Sequence, residues 1–284
     1  MNNAGKNMYE KLTIRDKFMF GKVTKNPVLA QKMADLLTPV EIGEVKGVER
    51  EKFLQHRSSS KYVKLDMYLE DENGRVVDTE MQNKSQNKVV QEELPLRVRY
   101  YQGMIDQEIL SSGTDYIFLK ETYIIFICTY DPFGKGKYVY HFHMACDEDE
   151  EIQLQDKMNW IFYNSTADLS EAPEGIREFL NYVENETVDD DFTKLLDKEV
   201  KNARLNEDWR SEYLKTYVND MDMRREGYVE GEKRGRAEGE KLGRAEGEKA
   251  THRFLINKWL QKGKTIAEIA EDLGKSEEYV ESLM

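Results

Sequence analysis

Lys61-Tyr62-Val63-Lys64-Leu65-Asp66-Met67-Tyr68-Leu69-Glu70 runs into Asp71-Glu72-Asn73-Gly74 and then into Arg75-Val76-Val77-Asp78-Thr79-Glu80-Met81-Gln82. Both flanks alternate strictly. Val63, Leu65, Met67 and Leu69 oppose Tyr62, Lys64, Asp66, Tyr68 and Glu70, and Val77, Thr79 and Met81 oppose Val76, Asp78, Glu80 and Gln82. A period of two is that of a β-strand, and Gly74 suits the left-handed position that closes a short hairpin loop. Pairing Asp71 with Arg75 sets Leu69 opposite Val77, Met67 opposite Thr79 and Leu65 opposite Met81. The same register sets Asp66 across from Glu80, with Cβ atoms about 5 Å apart, and Lys64 across from Gln82. Two facing carboxylates repel unless a cation lies between them, and a divalent metal meets that need. The plainer reading of the same pattern is an amphipathic hairpin with a solvated polar face.

The residues Leu65-Asp66-Met67 and Asp78-Thr79-Glu80-Met81-Gln82 resemble the PD-(D/E)XK nuclease superfamily, in its transposase-like branch, the recombination-promoting nuclease (Rpn) family, where Glu-Met-Gln stands for Glu-x-Lys. The resemblance continues through Leu94-Pro95-Leu96-Arg97-Val98-Arg99-Tyr100-Tyr101, Gly113-Thr114-Asp115-Tyr116, Tyr123-Ile124-Ile125-Phe126-Ile127-Cys128 and Asp131-Pro132-Phe133-Gly134, covering about residues 10 to 220. It implies an α/β fold: a restriction-endonuclease-like core with a mixed central sheet flanked by helices, to which this chain adds an all-helical C-terminal extension.

A chain of 284 residues suffices for one substantial core and an appendage. No run approaches the roughly 18 apolar residues that a membrane span needs, and the N-terminus lacks a signal-peptide pattern, so the expectation is a soluble cytoplasmic protein with no membrane partner. Cys128 and Cys146 fall in separate apolar strands, as small buried thiols of a reducing compartment do. The net charge of −13 resides in the first 223 residues, with 29 basic against 42 acidic, since the remainder balances at 13 each. That sign opposes nonspecific DNA binding, so contact with DNA requires a local basic patch, a bound metal or a low on-rate. Asp147-Glu148-Asp149-Glu150-Glu151 and Asp189-Asp190-Asp191 read as solvated loops.

Asn26-Pro27 reads as the cap and first position of a helix with Val28, Leu29, Met33, Leu36 and Leu37 as its stripe. Val45 to Arg50 looks extended. Val98, Tyr101, Ile105 and Ile109 recur at helical spacing within Glu92 to Leu110, and Thr122 to Tyr130 reads as a central strand buried on both faces. Tyr138 to Cys146 alternates, with His141 and His143 read as packed or solvated, and Trp160 to Tyr163 adds another strand. These features divide the chain into a nuclease-like domain over 1–200, a helical segment over 201–250 and a small helix-turn-helix-like module over 251–284.

In the helical segment Gly227, Gly231, Gly235, Gly239, Gly243 and Gly247 recur every fourth residue. Six glycines cost a helix roughly 5 kcal/mol relative to alanine. Ion pairs at i,i+4 such as Glu230/Arg234, Glu232/Arg236 and Glu240/Arg244 return only a few tenths each. Close approach of a second helix offsets the rest, which predicts a homo-oligomer; the alternative is a flexible polar tether. In the last module Thr265-Ile266-Ala267-Glu268 is a capping box, Gly274 stops the helix and Ser276 caps the next. Glu277, Glu278 and Glu281 on that next helix would face phosphates, so the module reads as a cap or assembly element.

The resemblance implies a Mg²⁺-dependent DNA endonuclease linked to recombination, mobile elements or defence, with Mn²⁺ or Ca²⁺ as substitutes for Mg²⁺. Asp66 and Glu80 hold the metal, the Met81 carbonyl completes the set and Asp16 adds a ligand or hydrogen bond. Gln82 stands in the place of the superfamily lysine, where an amide can orient water but carries no charge. Lys64 is the candidate displaced cation, and Arg97, Tyr101 and Lys84 are the candidate DNA contacts. The alternative is a weak or inactive nuclease fold that acts as a regulatory or assembly protein through its C-terminal helices.

Overall fold

The computed structural model describes residues 8–284 apart from 56–58, 60, 84–91 and 150. The chain divides into two units, Met1–Leu214 and Lys215–Met284. The first is built on six strands: β1 (Val45–Leu54), β2 (Val63–Asp71), β3 (Val76–Gln82), β4 (Thr122–Cys128), β5 (Val139–Phe142) and β6 (Met158–Asn164), in the spatial order β1-β2-β3-β4-β6-β5. β1, β2 and β3 form an antiparallel meander, β3, β4 and β6 run parallel, and β5 returns antiparallel on the edge. Helices α1 (Lys17–Val23) and α2 (Pro27–Leu37) precede the sheet, and α3 (Leu94–Ile109) makes the crossover that a parallel β3–β4 pair requires. α4 (Glu174–Asn185), α5 (Asp191–Leu205) and the start of α6 (Glu207–Leu260) follow it.

The hairpin forms in the register its alternation and turn residues dictate. Met67 pairs with Thr79 and Leu69 with Val77. The Asp71 N–H donates to the Arg75 carbonyl, the Gly74 N–H donates to the Asp71 carbonyl, and Gly74 takes φ +79°. A Cβ at Gly74 would meet nothing within 4 Å, so Gly74→Ala tests backbone strain alone. The expected cost is about 1–2 kcal/mol, read as a lower urea midpoint at unchanged slope.

The polar face of β3 is buried, not solvated, and so is Asp66 on β2, while Tyr62 at the start of the hairpin is exposed. All seven residues of β3 are buried, because β4 pairs along its other edge and helices cover the sheet. On one face Ile124, Phe126, Cys128 and Phe162 pack against Val98, Met104 and Ile105 of α3. On the other, the Tyr163 hydroxyl donates to the Leu37 carbonyl at the end of α2, whose Leu29, Ala30, Met33 and Ala34 are buried. Burying each large apolar side chain contributes roughly 1.5–3 kcal/mol. Strand limits differ from expectation: β1 runs on to Leu54, β4 stops at Cys128 and β6 extends over Met158–Asn164. β5 ends at Phe142, beyond which an isolated bridge joins Ala145 to Gln153, so Cys146 lies outside the strand while Cys128 is buried within β4.

α1 is fastened at both ends. Asp16 caps it, accepting from the N–H groups of Phe18 and Met19. Lys22, only 2 % exposed, forms an ion pair with Glu212 at 2.5 Å and lies over the rings of Phe18 and Trp209. The Phe18 ring meets Tyr213 edge-on at 5.2 Å. The first turns of α6 therefore pack on α1.

In the second unit the remainder of α6 meets α7 (Ile266–Leu273) and α8 (Glu277–Ser282) around Ile256, Ile269, Ala270, Val280 and Leu283. The capping box of Thr265 and Glu268, the left-handed Gly274 and the Ser276 cap all form as read. All six glycines from Gly227 to Gly247 lie within α6, and a Cβ at any of them would meet nothing within 4 Å. Glu230–Arg234 and Glu240–Arg244 are ion-paired but exposed, and so contribute little.

Candidate active site

Beyond Met67 and Thr79 the ladder between β2 and β3 stops, while β2 stays paired with β1 to Val63 and β3 stays paired with β4 to Gln82. The two strands part as a fork, and side chains take over the backbone groups at its mouth. The Asp66 N–H donates to Glu80 Oε1 at 2.7 Å, and the Met81 N–H donates to Asp66 Oδ2 at 3.2 Å. Each carboxylate is thereby bonded to the other's strand. Both are buried, Asp66 at 6 % exposure and Glu80 at 0 %.

Lys17, the first residue of α1, reaches both acids. Its Nζ lies 3.3 Å from Asp66 Oδ2 and 3.4 Å from Glu80 Oε2, and the side chain is 47 % exposed. Burial and the Asp66 charge push the Glu80 carboxyl up to about 7 despite Lys17. Burial likewise raises Asp66, opposed by Lys17. Asp78, two residues before Glu80, is fully buried with no hydrogen-bond partner for either oxygen among the described residues, and burial holds it well above the usual carboxylate range. Burial alone would lower Lys17, but the charges of Glu80 and Asp66 leave it above its ordinary value.

α3 supplies the second cation. Arg97 donates from one terminal nitrogen to Gln82 Oε1 at 2.8 Å and from the other to the Tyr101 hydroxyl at 3.3 Å. Its guanidinium lies over the Tyr101 and Phe126 rings, 5.6 and 5.7 Å from their centroids. Tyr101 packs against the core. The Gln82 carbonyl oxygen thus already accepts a charged hydrogen bond, and its Nε2 donates to the Asn83 carbonyl at 3.4 Å.

Asp66 and Glu80 come together as expected, though through side-chain bonds across the fork and not as a ladder pair, and Gln82 lies with Arg97 and Tyr101 beside them. Lys64 does not face Gln82. Because the fork parts the strands, it pairs with Phe53 of β1 and lies over that ring, and its charge is only a lesser influence on Asp66. Asp16 spends one carboxylate oxygen on the α1 cap instead of joining as a third ligand. Among the described residues no cluster of three or more His, Cys, Asp or Glu could hold a metal. Lys84 lies outside the described residues. His141 and His143 are exposed, and burial pushes the Cys128 thiol up to about 12. Lys17 is the residue that sequence reasoning missed. An acid followed by Lys and an apolar run signals a helix start, but nothing local says that the helix points at a hairpin about fifty residues on.

The donor set fits a hard divalent cation. Asp66 and Glu80 present carboxylate oxygens to one shared position, now taken by an ammonium, with no thiolate or imidazole among them. A depression of about 800 Å³ between Arg75, Lys120, His143 and Lys157 lies at the other end of the parallel strands and holds none of these residues.

A mixed sheet with an antiparallel meander feeding parallel strands, and one acid on each arm of a strand fork, defines a nuclease-like domain of the PD-(D/E)XK type. The chain belongs to the PD-(D/E)XK nuclease family transposases, whose family model matches residues 16–208, from the α1 cap to the first turn of α6. No curated protein and no solved structure matches it. No helix among the described residues is long and apolar enough to cross a membrane.

Proposed function

We propose that this protein is a metal-dependent DNA endonuclease, with Mg²⁺ as the expected cation and Mn²⁺ or Ca²⁺ as substitutes. The observation that carries this reading is the cross-bonded pair Asp66 and Glu80, buried at the fork and sharing one cation position. A cation held there would supply Lewis-acid chemistry, neutralising phosphate charge and acidifying water. Asp66 and Glu80 hold it, and their bonds to the Met81 and Asp66 N–H groups fix the angle at which they do so. Arg97, braced on two rings and on Gln82, presents its charge to the phosphodiester beside them. Gln82 steadies that guanidinium by accepting its hydrogen bond. Hydrolysis adds water to phosphorus and breaks one P–O ester bond, the departing oxygen taking up a proton. Membership in a transposase family supports DNA as the substrate.

The test is nicking of supercoiled plasmid by the purified chain with Mg²⁺, Mn²⁺ or EDTA. Cleavage that requires metal is expected; none with any metal would leave an assembly or regulatory role for the fold. The open glycine stripe of α6 supports self-association. Light scattering is expected to give a dimer or larger, and a monomer across the micromolar range would contradict it.

A further inference from the structure

The lysine that a phosphodiesterase of this type carries two residues after its glutamate is an amide here, and that amide's carbonyl is already committed to Arg97. The position nearest the two acids is filled instead from another element. Lys17 begins α1, whose first turn is held by the Asp16 cap and whose body is held by the Lys22–Glu212 pair and the Phe18–Tyr213 contact. Its backbone is therefore fixed, while its side chain, 47 % exposed, is a flexible four-carbon stem. A tip so placed has two destinations within reach: the carboxylate pair itself, or an anion brought up against that pair.

We propose that Lys17 is the catalytic cation of this site: it neutralises Asp66 and Glu80 while no metal is bound, yields that position to a divalent cation, and moves its ammonium onto the scissile phosphate. The assignment rests on the hydrolase reading above. A lysine that merely braced the fold would support metal binding and cleavage alike, so its loss would weaken both. A resident counter-ion that becomes a phosphate ligand behaves differently: its loss strengthens metal binding and weakens cleavage.

The experiment uses the full chain with Lys17→Met, which keeps the apolar stem, and Lys17→Arg, which keeps the charge. Mn²⁺ affinity is measured by titration calorimetry without DNA, and plasmid cleavage at saturating Mn²⁺. Removing one like charge at contact distance is expected to tighten Mn²⁺ binding by about tenfold or more. Losing one stabilising donor is expected to slow cleavage about a hundredfold. Lys17→Arg should recover part of the cleavage. Mn²⁺ binding in Lys17→Met that is unchanged or weaker, or cleavage at the wild-type rate, overturns the assignment while leaving the hydrolase reading intact. A wild-type chain that cleaves no plasmid with any metal overturns the hydrolase reading and the phosphate role of Lys17 with it.

Discussion

Glu80→Gln is expected to abolish metal-dependent cleavage, by about a thousandfold or more, while making the metal-free protein more stable at pH 8. The loss of activity follows from the donor set. Among the described residues two carboxylates converge on the cation position, and Glu80 supplies one of them. Removing it forfeits several kcal/mol of charge stabilisation, and about 4 kcal/mol corresponds to a thousandfold in rate. The gain in stability follows from burial. Glu80 is fully buried beside Asp66, with Asp78 two residues away, and Lys17 does not offset that environment. A neutral amide of the same shape still accepts the Asp66 N–H through its oxygen. Plasmid cleavage and thermal melting on the same sample check both halves. An enzyme with a tenth or more of wild-type activity, or a mutant that melts lower at pH 8 in EDTA, would contradict this account.

Without metal, stability is expected to rise as pH falls from 8 towards 5. The Glu80 carboxyl titrates at about 7 in the folded chain against an ordinary 4.5, so the folded state binds the proton more tightly. Its contribution is present in full below the ordinary value and is lost as pH rises through 7. Asp66, Asp78 and Asp16 are shifted in the same direction. Asp71, Asp131 and Asp190 are shifted downward, and their contribution is lost only below the ordinary 3.8, outside this window. His141, lowered by burial and by His143, opposes the trend but sits on an exposed edge. The Glu80 shift alone is on the order of 2–3 kcal/mol, or several degrees in melting temperature for a unit of this size. Melting in EDTA across pH 5 to 8 measures it. Glu80→Gln should flatten the slope, and saturating Mg²⁺ should remove most of it by favouring the ionised pair. A wild-type melting temperature that falls between pH 8 and 6 would refute the assignment.

How far the sequence could be read depended on the distance over which each feature is decided. The hairpin register was legible, because Gly74 and the alternation of Leu69 with Val77 settle it within about twenty residues. So were the Asn26 and Thr265 caps, where one side chain satisfies backbone groups two or three positions on. The burial of Asp78 and Glu80 was not, since it comes from β4, some forty residues later, pairing along the second edge of β3. The fork was not legible either. Alternation continues through Leu65 and Met81 as if the ladder did, and extending it misplaced Lys64 opposite Gln82. Lys17 needed the packing of α1 against the sheet, which no spacing encodes.

The family match ends at residue 208, yet Trp209, Glu212 and Tyr213 grip α1 through Lys22 and Phe18. The stretch that the family model matches and the stretch that packs as one body thus differ by about two helical turns. The opening of α6 is the rear wall of the lever that carries Lys17 to the acids. A chain cut at residue 208 would keep every recognisable motif and lose the footing beneath its cation, whereas one ending at Leu214 would keep both.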